Sequence, residues 1–262
     1  MKKIQDSKYL TKIIVQTGVL IAIALVIKSF SFMINIGGAP VLRISFSGPF
    51  SQMPGILFGP LIGGVAMGII DVVSFVIKPQ GGFIPFFTLT AILGGVLTPL
   101  IWKSLKNINV KFLQKFLIIL LLFIGLFGIT NHIILTTNEE SQWALTLLLL
   151  GKKTYFTTIV LESASLIGLS LIFIEILLNK KSNNTYLNKY FLKLIIAVGI
   201  PGIIVTTLNT EILRMFIPGL SNKAFLVFWI PRLIEEIIMT IYISYVLSIL
   251  LQIYDKLFKK EA

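Results

Sequence analysis

Residues Arg43–Trp102 read RISFSGPFSQMPGILFGPLIGGVAMGIIDVVSFVIKPQGGFIPFFTLTAILGGVLTPLIW. Arg43, Asp71 and Lys78 are the charged residues of this stretch, set among Gly, Pro and Phe. In a bilayer, a charge at hydrocarbon depth costs roughly 2.5–3.5 kcal/mol on insertion scales. These three side chains are therefore expected to line a cavity or to sit at an interface. The segment is the first place to look for function.

The rest of the chain has the same character. Of 262 residues, 56% are hydrophobic and 13% charged, and the mean hydropathy is +0.94. Soluble domains carry about 25% charged residues, so this chain lacks the groups to cover a water-facing surface. It is expected to be all-α, a single polytopic membrane helical bundle over residues 1–262. There is no cysteine, which removes disulfides and thiolate metal sites. The lone histidine, His132, falls short of the three or four ligands of a zinc-type centre, and neither metal nor cofactor is expected. The net charge of +12 does not point to nucleic acid, because the lysines cluster between apolar runs, as they do in membrane proteins. The basic start MKKIQDSKYLTK leads into an apolar run too long for a signal peptide, and no small-residue cleavage site follows.

Apolar runs of spanning length predict helices at about 11–34, 83–102, 113–135, 155–178, 190–216 and 224–252. The stretch 46–78 is split by Phe58-Gly59-Pro60, and Pro60 ends one helix and starts another. It therefore reads as helices near 46–58 and 60–77, for a total of about eight. An even number of crossings puts both termini on one side. With the N terminus inside, the inner segments hold Lys2, Lys3, Lys8 and Lys12, then Lys103, Lys106, Lys111 and Lys115, then Lys180, Lys181, Lys189 and Lys193, then Lys256, Lys259 and Lys260. The reading is a multi-pass cell-membrane protein with cytoplasmic termini. Asn35–Ser51, Lys78–Pro85, Thr130–Thr154 and Pro218–Lys223 then fall outside or near the outer face.

Small residues recur at four-residue spacing: Gly59 with Gly63, Gly64 with Gly68, and Gly18 with Ala22. This spacing places them on one helix face, where backbones approach closely. Such a face either packs within the bundle or docks another membrane protein, with Gly18 and Ala22 the better candidates for docking.

RISF at 43–46, FGPLIGGVAMGIIDVVSFVIKPQGGFIPFFTLTAILGG at 58–95, LNT at 208–210 and IPRL at 230–233 together resemble the substrate-specific S component of energy-coupling factor (ECF) vitamin transporters, most of all the folate-type family. The likeness covers about 1–105 and 190–255 and is most specific in 43–95. It implies a six-helix core that binds one vitamin near the outer face. The implied partners are an ECF transmembrane scaffold subunit and two cytoplasmic ATPase subunits, and the subunit is not itself an enzyme. In that family small-residue motifs on the first helices meet the scaffold. Gly18 and Ala22 are the nearest match here, although the family's motif is richer in alanine. The chain departs from the family at about 106–189, which reads as an inserted transmembrane hairpin after the fourth helix.

Under this resemblance a set of side chains becomes a candidate ligand site. Arg43 enters the second helix from outside, and its planar fork suits the carboxylates of a folate glutamate, unless it snorkels to headgroups. Ser45 follows it in the same motif. Asp71 either pairs within the bundle or accepts hydrogen bonds from a pterin-like ring. Lys78 and Gln80, with Gly81 and Gly82, form a loop placed to close over the site. Phe83 and Phe87 offer flat faces for stacking. Asn209 and Thr210 hydrogen-bond a ligand or a neighbouring helix. Arg214, with Lys223, attracts anions. Arg232 either binds ligand or pairs with Glu236 at i,i+4.

Other classes fit less well. Glu235-Glu236 lacks the partner histidines of an intramembrane metalloprotease, and no aspartate cluster is present to hold magnesium. No Walker motif occurs, so any ATP use belongs to a partner. The alternatives that stay open are an S component for a different vitamin, a stand-alone secondary transporter, and a non-transport membrane protein.

Overall fold

The computed structural model describes residues 2–36, 39–79, 81–137, 186–217 and 225–258, together with short runs between 158 and 173. Gln80, residues 218–224 with Lys223, Lys180, Lys181, Lys259, Lys260, residues 138–157 and parts of the expected 155–178 helix lie outside the described residues.

The elements in chain order are α1 (Lys2–Ser29), β1 (Phe32–Ile36), β2 (Ala39–Ile44), α2 (Gly48–Phe58), α3 (Pro60–Ile77), α4 (Pro85–Leu105), α5 (Val110–Thr137), α6 (Tyr186–Phe216) and α7 (Phe225–Phe258). Further helical residues lie within 158–173. Six of these helices are long and apolar enough to cross a membrane. Their surfaces agree with lipid as solvent. On α3, Leu61 is 75% and Val76 74% exposed while Ser74 is buried, the reverse of a water-soluble helix. The chain is a polytopic helical membrane protein.

Proline and glycine set the joints. Pro49, Pro60 and Pro85 stand in the first turns of α2, α3 and α4, where a missing N–H leaves no hydrogen bond unmade. Gly59 ends α2 and precedes α3 at φ 101°, a conformation that side-chain-bearing residues rarely adopt. The expected break at Gly59-Pro60 is found.

The main departure is an antiparallel β-hairpin. The first helix was expected to run to about residue 34 but stops at Ser29. β1 and β2 then pair Phe32 with Ile44 and Met33 with Arg43. A continuous apolar run does not by itself distinguish strand from helix. Arg43 consequently stands on β2 and not at the entry of a helix.

The 11 residues of α2 extend only about 16 Å, short of a hydrocarbon core of about 30 Å. The six residues of β2 ahead of it add about 20 Å of extended chain. α2 is therefore too short to span by itself, whereas α3 is long enough. Lys78, just past α3, donates to the carbonyls of Ser29 (3.2 Å) and Ser31 (2.8 Å), just past α1. The C-terminal ends of α1 and α3 are therefore side by side.

The chain forms two compact units, Met1–Asn107 with Lys193–Ala262, and Ile108–Leu192. In the first, α3 and α4 meet through glycine. Gly63 is against the Gly95 carbonyl and Gly55, while Gly64 and Gly68 face Ile92. The glycines read as a possible docking face at 63, 64 and 68 are thus filled by the protein's own α4. Gly59, at the α2–α3 joint, has nothing within 4 Å of where a Cβ would stand. Gly18 and Ala22 are exposed on α1, and a Cβ at Gly18 would likewise meet nothing within 4 Å. In the second unit, Ser165 Oγ donates to the Leu121 carbonyl (2.7 Å) and His132 Nδ1 lies 3.0 Å from Glu162 Oε1.

Candidate functional site

At the end of the first unit where α1 and α3 finish, three cations are linked through Ser31 and Asp71. Lys28, in the last turn of α1, is 3.7 Å from Asp71 Oδ1 on α3. Thr88 of α4 donates to Asp71 Oδ2 at 2.8 Å. Arg43 Nε on β2 donates to Ser31 Oγ at 3.2 Å, and the Ser31 carbonyl accepts from Lys78. Ser31 thus ties two of the expected cations together, and Lys28 brings in the third. Among the described residues, Arg43 Nη2 is buried with no hydrogen-bond acceptor. Burial pulls the Arg43 guanidinium below its ordinary pKa, and Asp71 opposes the shift. Arginine nonetheless stays charged, so the cluster has an excess of positive charge and a donor left over.

Lys78 also neutralises the carbonyl end of α1, where a cation is favourable. Asp71 is engaged on both oxygens inside the bundle. Asp71→Asn is expected to lower thermal stability by roughly 2 kcal/mol, because it strips a half-buried lysine of its counter-ion. Melting of the purified protein in detergent checks it. An unchanged transition would mean that the pair contributes nothing.

Beside this cluster lies a cavity of about 220 Å³ whose walls come from α1, the β2–α2 joint, α2, α3, α4, α6 and α7. Its polar lining includes Lys28, Ser45, Ser47, Ser51, Gln52 and Glu236. The Ser45 and Ser47 hydroxyls are 3.0 Å apart, and Ser51 Oγ donates to the Ser47 carbonyl at 3.1 Å. These bonds hold the turn into α2 against the cavity. Met67, Ile70, Val205 and Ile243 supply apolar wall. Lys28 both lines the cavity and pairs with Asp71, so the basic cluster and the cavity adjoin.

Glu236 reaches the cavity from α7. Its Oε2 accepts from Thr206 at 3.0 Å, and Oε1 has a long contact of 3.4 Å with Thr240. Among the described residues no ion pair joins it to Arg232, so the expected i,i+4 bridge does not form. Thr206 and, at longer range, Thr240 are its hydrogen-bond partners instead. Arg232 sits on α7 with Nη1 buried and, among the described residues, without an acceptor.

The remaining expected residues are held by packing. Asn209 Oδ1 accepts from Thr90 at 2.5 Å, and the buried Thr210 donates to the Thr206 carbonyl at 2.7 Å. Arg214 donates to Glu211 at 2.8 Å and lies 5.9 Å from the centre of the Phe225 ring. Phe83 packs on Phe75 with ring centres 5.0 Å apart, and Phe87 packs on Leu213 and Phe228. The structure therefore brings together Arg43, Lys78 and Asp71, with Ser45 on the adjoining cavity wall. The pattern reading passed over Lys28, Gln52 and Glu236 as site residues. Lys28 carried a usable signal, a lysine at the end of the first span opposite the basic N terminus.

A 72-residue stretch, 28% of this chain, is 36% identical to the folate transporter FolT of Clostridium novyi (strain NT). The match spans 41% of that curated relative's length. Neither a family model nor a solved structure matches the chain.

Proposed function

From that partial likeness we propose that the chain is the high-affinity substrate-binding membrane subunit of an ATP-driven energy-coupling factor importer, taking up folate or a related vitamin from outside. The observation that carries the reading is a basic cluster beside a cavity: Lys28 pairs with Asp71, while Arg43 and Lys78 both bond to Ser31. A site with more cations than anions, one of them a half-buried guanidinium with a spare donor, suits a ligand ending in carboxylates. The relative's name and the ECF-like sequence motifs support the same substrate class.

The rest follows as part of the proposal. Both termini lie in the cytoplasm and the basic cluster at the outer face, a reading that the lysine clusters support. Residues 1–105 and 190–255 are the S-component core and 106–189 an inserted hairpin, in line with the two compact units. The scaffold subunit docks on the open α1 face at Gly18 and Ala22, and two ATPase subunits supply the energy. The chain itself catalyses nothing.

Equilibrium titration of the purified chain with folate is expected to give saturable binding. The lone chain in liposomes is expected to give no folate uptake until scaffold and ATPase subunits are added. Absence of binding would remove the ligand reading. Uptake by the lone chain would remove the ECF reading.

A further inference from the structure

We infer that Glu236 is the hydrogen-bond acceptor for a planar N–H-bearing ring of the 2-aminopyrimidin-4-one class, seated in the cavity with its acidic tail directed toward Arg43 and Lys78. This rests on the folate-type reading and assigns the group that recognises the ring.

Cavity size comes first. Sites that enclose a drug-sized ligand measure about 300–1,000 Å³. At about 220 Å³ this one suits a bicyclic ring and not ring, linker and two carboxylates together. The tail must lie elsewhere, and Lys28 and Ser45 lead from the cavity to the basic cluster. The walls also fit, because Met67, Ile70, Val205 and Ile243 give a flat ring apolar surface on which to lie.

The acceptor follows by elimination within this site. Asp71 was the sequence candidate for the ring, but it is held by Lys28 and Thr88 and is not among the residues that line the cavity. Glu236 lines the cavity and has a single short hydrogen bond, from Thr206 to Oε2. Its Oε1 has the long Thr240 contact, and among the described residues no cation lies within ion-pair distance. Each carboxylate oxygen accepts about two hydrogen bonds, so capacity remains on both. Gly202 makes the arrangement possible, since a Cβ there would overlap Glu236 Oε1. A 2-aminopyrimidin-4-one presents a ring N–H and an amino N–H side by side. That edge meets a carboxylate two-pronged, in the strong charge-assisted geometry.

The test uses the full purified chain and four probes: folate, pterin as the bare ring, lumazine (a carbonyl in place of the 2-amino group) and p-aminobenzoylglutamate as the bare tail. Wild-type protein is expected to bind pterin at least about tenfold more tightly than lumazine, because the carbonyl faces the carboxylate oxygen with no donor between them. Glu236→Gln is expected to weaken pterin and folate by about tenfold or more while leaving p-aminobenzoylglutamate within about twofold. Equal wild-type affinity for pterin and lumazine overturns the assignment, whether or not the variant folds. So does a Glu236→Gln protein that binds folate like wild type. Failure of wild type to bind folate removes the folate-type reading itself, and this assignment with it.

Discussion

Gly63→Val is expected to abolish accumulation of folded protein. A Cβ at position 63 would overlap the Gly95 carbonyl oxygen and approach Gly55 Cα to 2.7 Å. Both obstacles are backbone, one on α4 and one on α2, so no rotamer change relieves them. Overpacking a core costs typically about 1–3 kcal/mol when side chains can adjust. Here two helices must move apart, and the glycine seam at Gly55, Gly63 and Gly95 opens with them. Without a strong hydrophobic drive between helices in lipid, that close contact is the main source of association. A total stability of about 5–15 kcal/mol leaves little margin for such a loss. The measurement is the yield of monodisperse protein in gel filtration, with its melting temperature. Gly18→Val is the control, because a Cβ there meets nothing within 4 Å. A Gly63→Val protein recovered at wild-type yield would show that α3 and α4 do not pack as described.

Arg43→Ala is expected to weaken folate binding by about 30-fold to several thousand-fold, the equivalent of the 2–5 kcal/mol typical for truncating one partner of a buried charged contact. Arg43 Nε is committed to Ser31, and Nη2 is buried with no acceptor among the described residues. A ligand carboxylate would supply one. Arg43→Lys keeps the charge but loses the planar fork, so its affinity is expected to fall between the two. Uncharged pterin is expected to bind wild type and Arg43→Ala alike, which separates loss of the anion seat from loss of the fold. Wild-type folate affinity in Arg43→Ala would mean that the basic cluster does not hold the tail.

Much of the architecture was legible in local pattern. Spans declare themselves by length and hydropathy, and Gly59-Pro60 declares a joint because proline restarts a helix and glycine tolerates φ 101°. The hairpin at 32–44 was not legible. Its apolar residues continue the run of α1, and only pairing across β1 and β2 shows that they are extended. The site was legible in part for a similar reason. Arg43, Asp71 and Lys78 stood out as charges in an apolar stretch, whereas Lys28 lies outside that stretch and joined the set only when the fold set it against Asp71. Phe83 and Phe87 looked free to stack on a ring, and their rings turn out to lie against Phe75 and against Leu213 and Phe228.

Read alone, the order of residues determined that this is a multi-helix membrane protein, that a helix breaks at Gly59-Pro60, and that charge left in lipid must cluster. These are one-dimensional properties, set by how much apolar surface and how many unpaired polar groups a segment carries into hydrocarbon. Folding in three dimensions decided which charges neutralise one another and which remain available. It gave Asp71 to Lys28 and Thr88, gave Thr206 to Glu236, and left Arg43 with a spare donor beside a cavity. Those choices depend on distances between groups far apart along the chain, and such distances exist only once helices have packed.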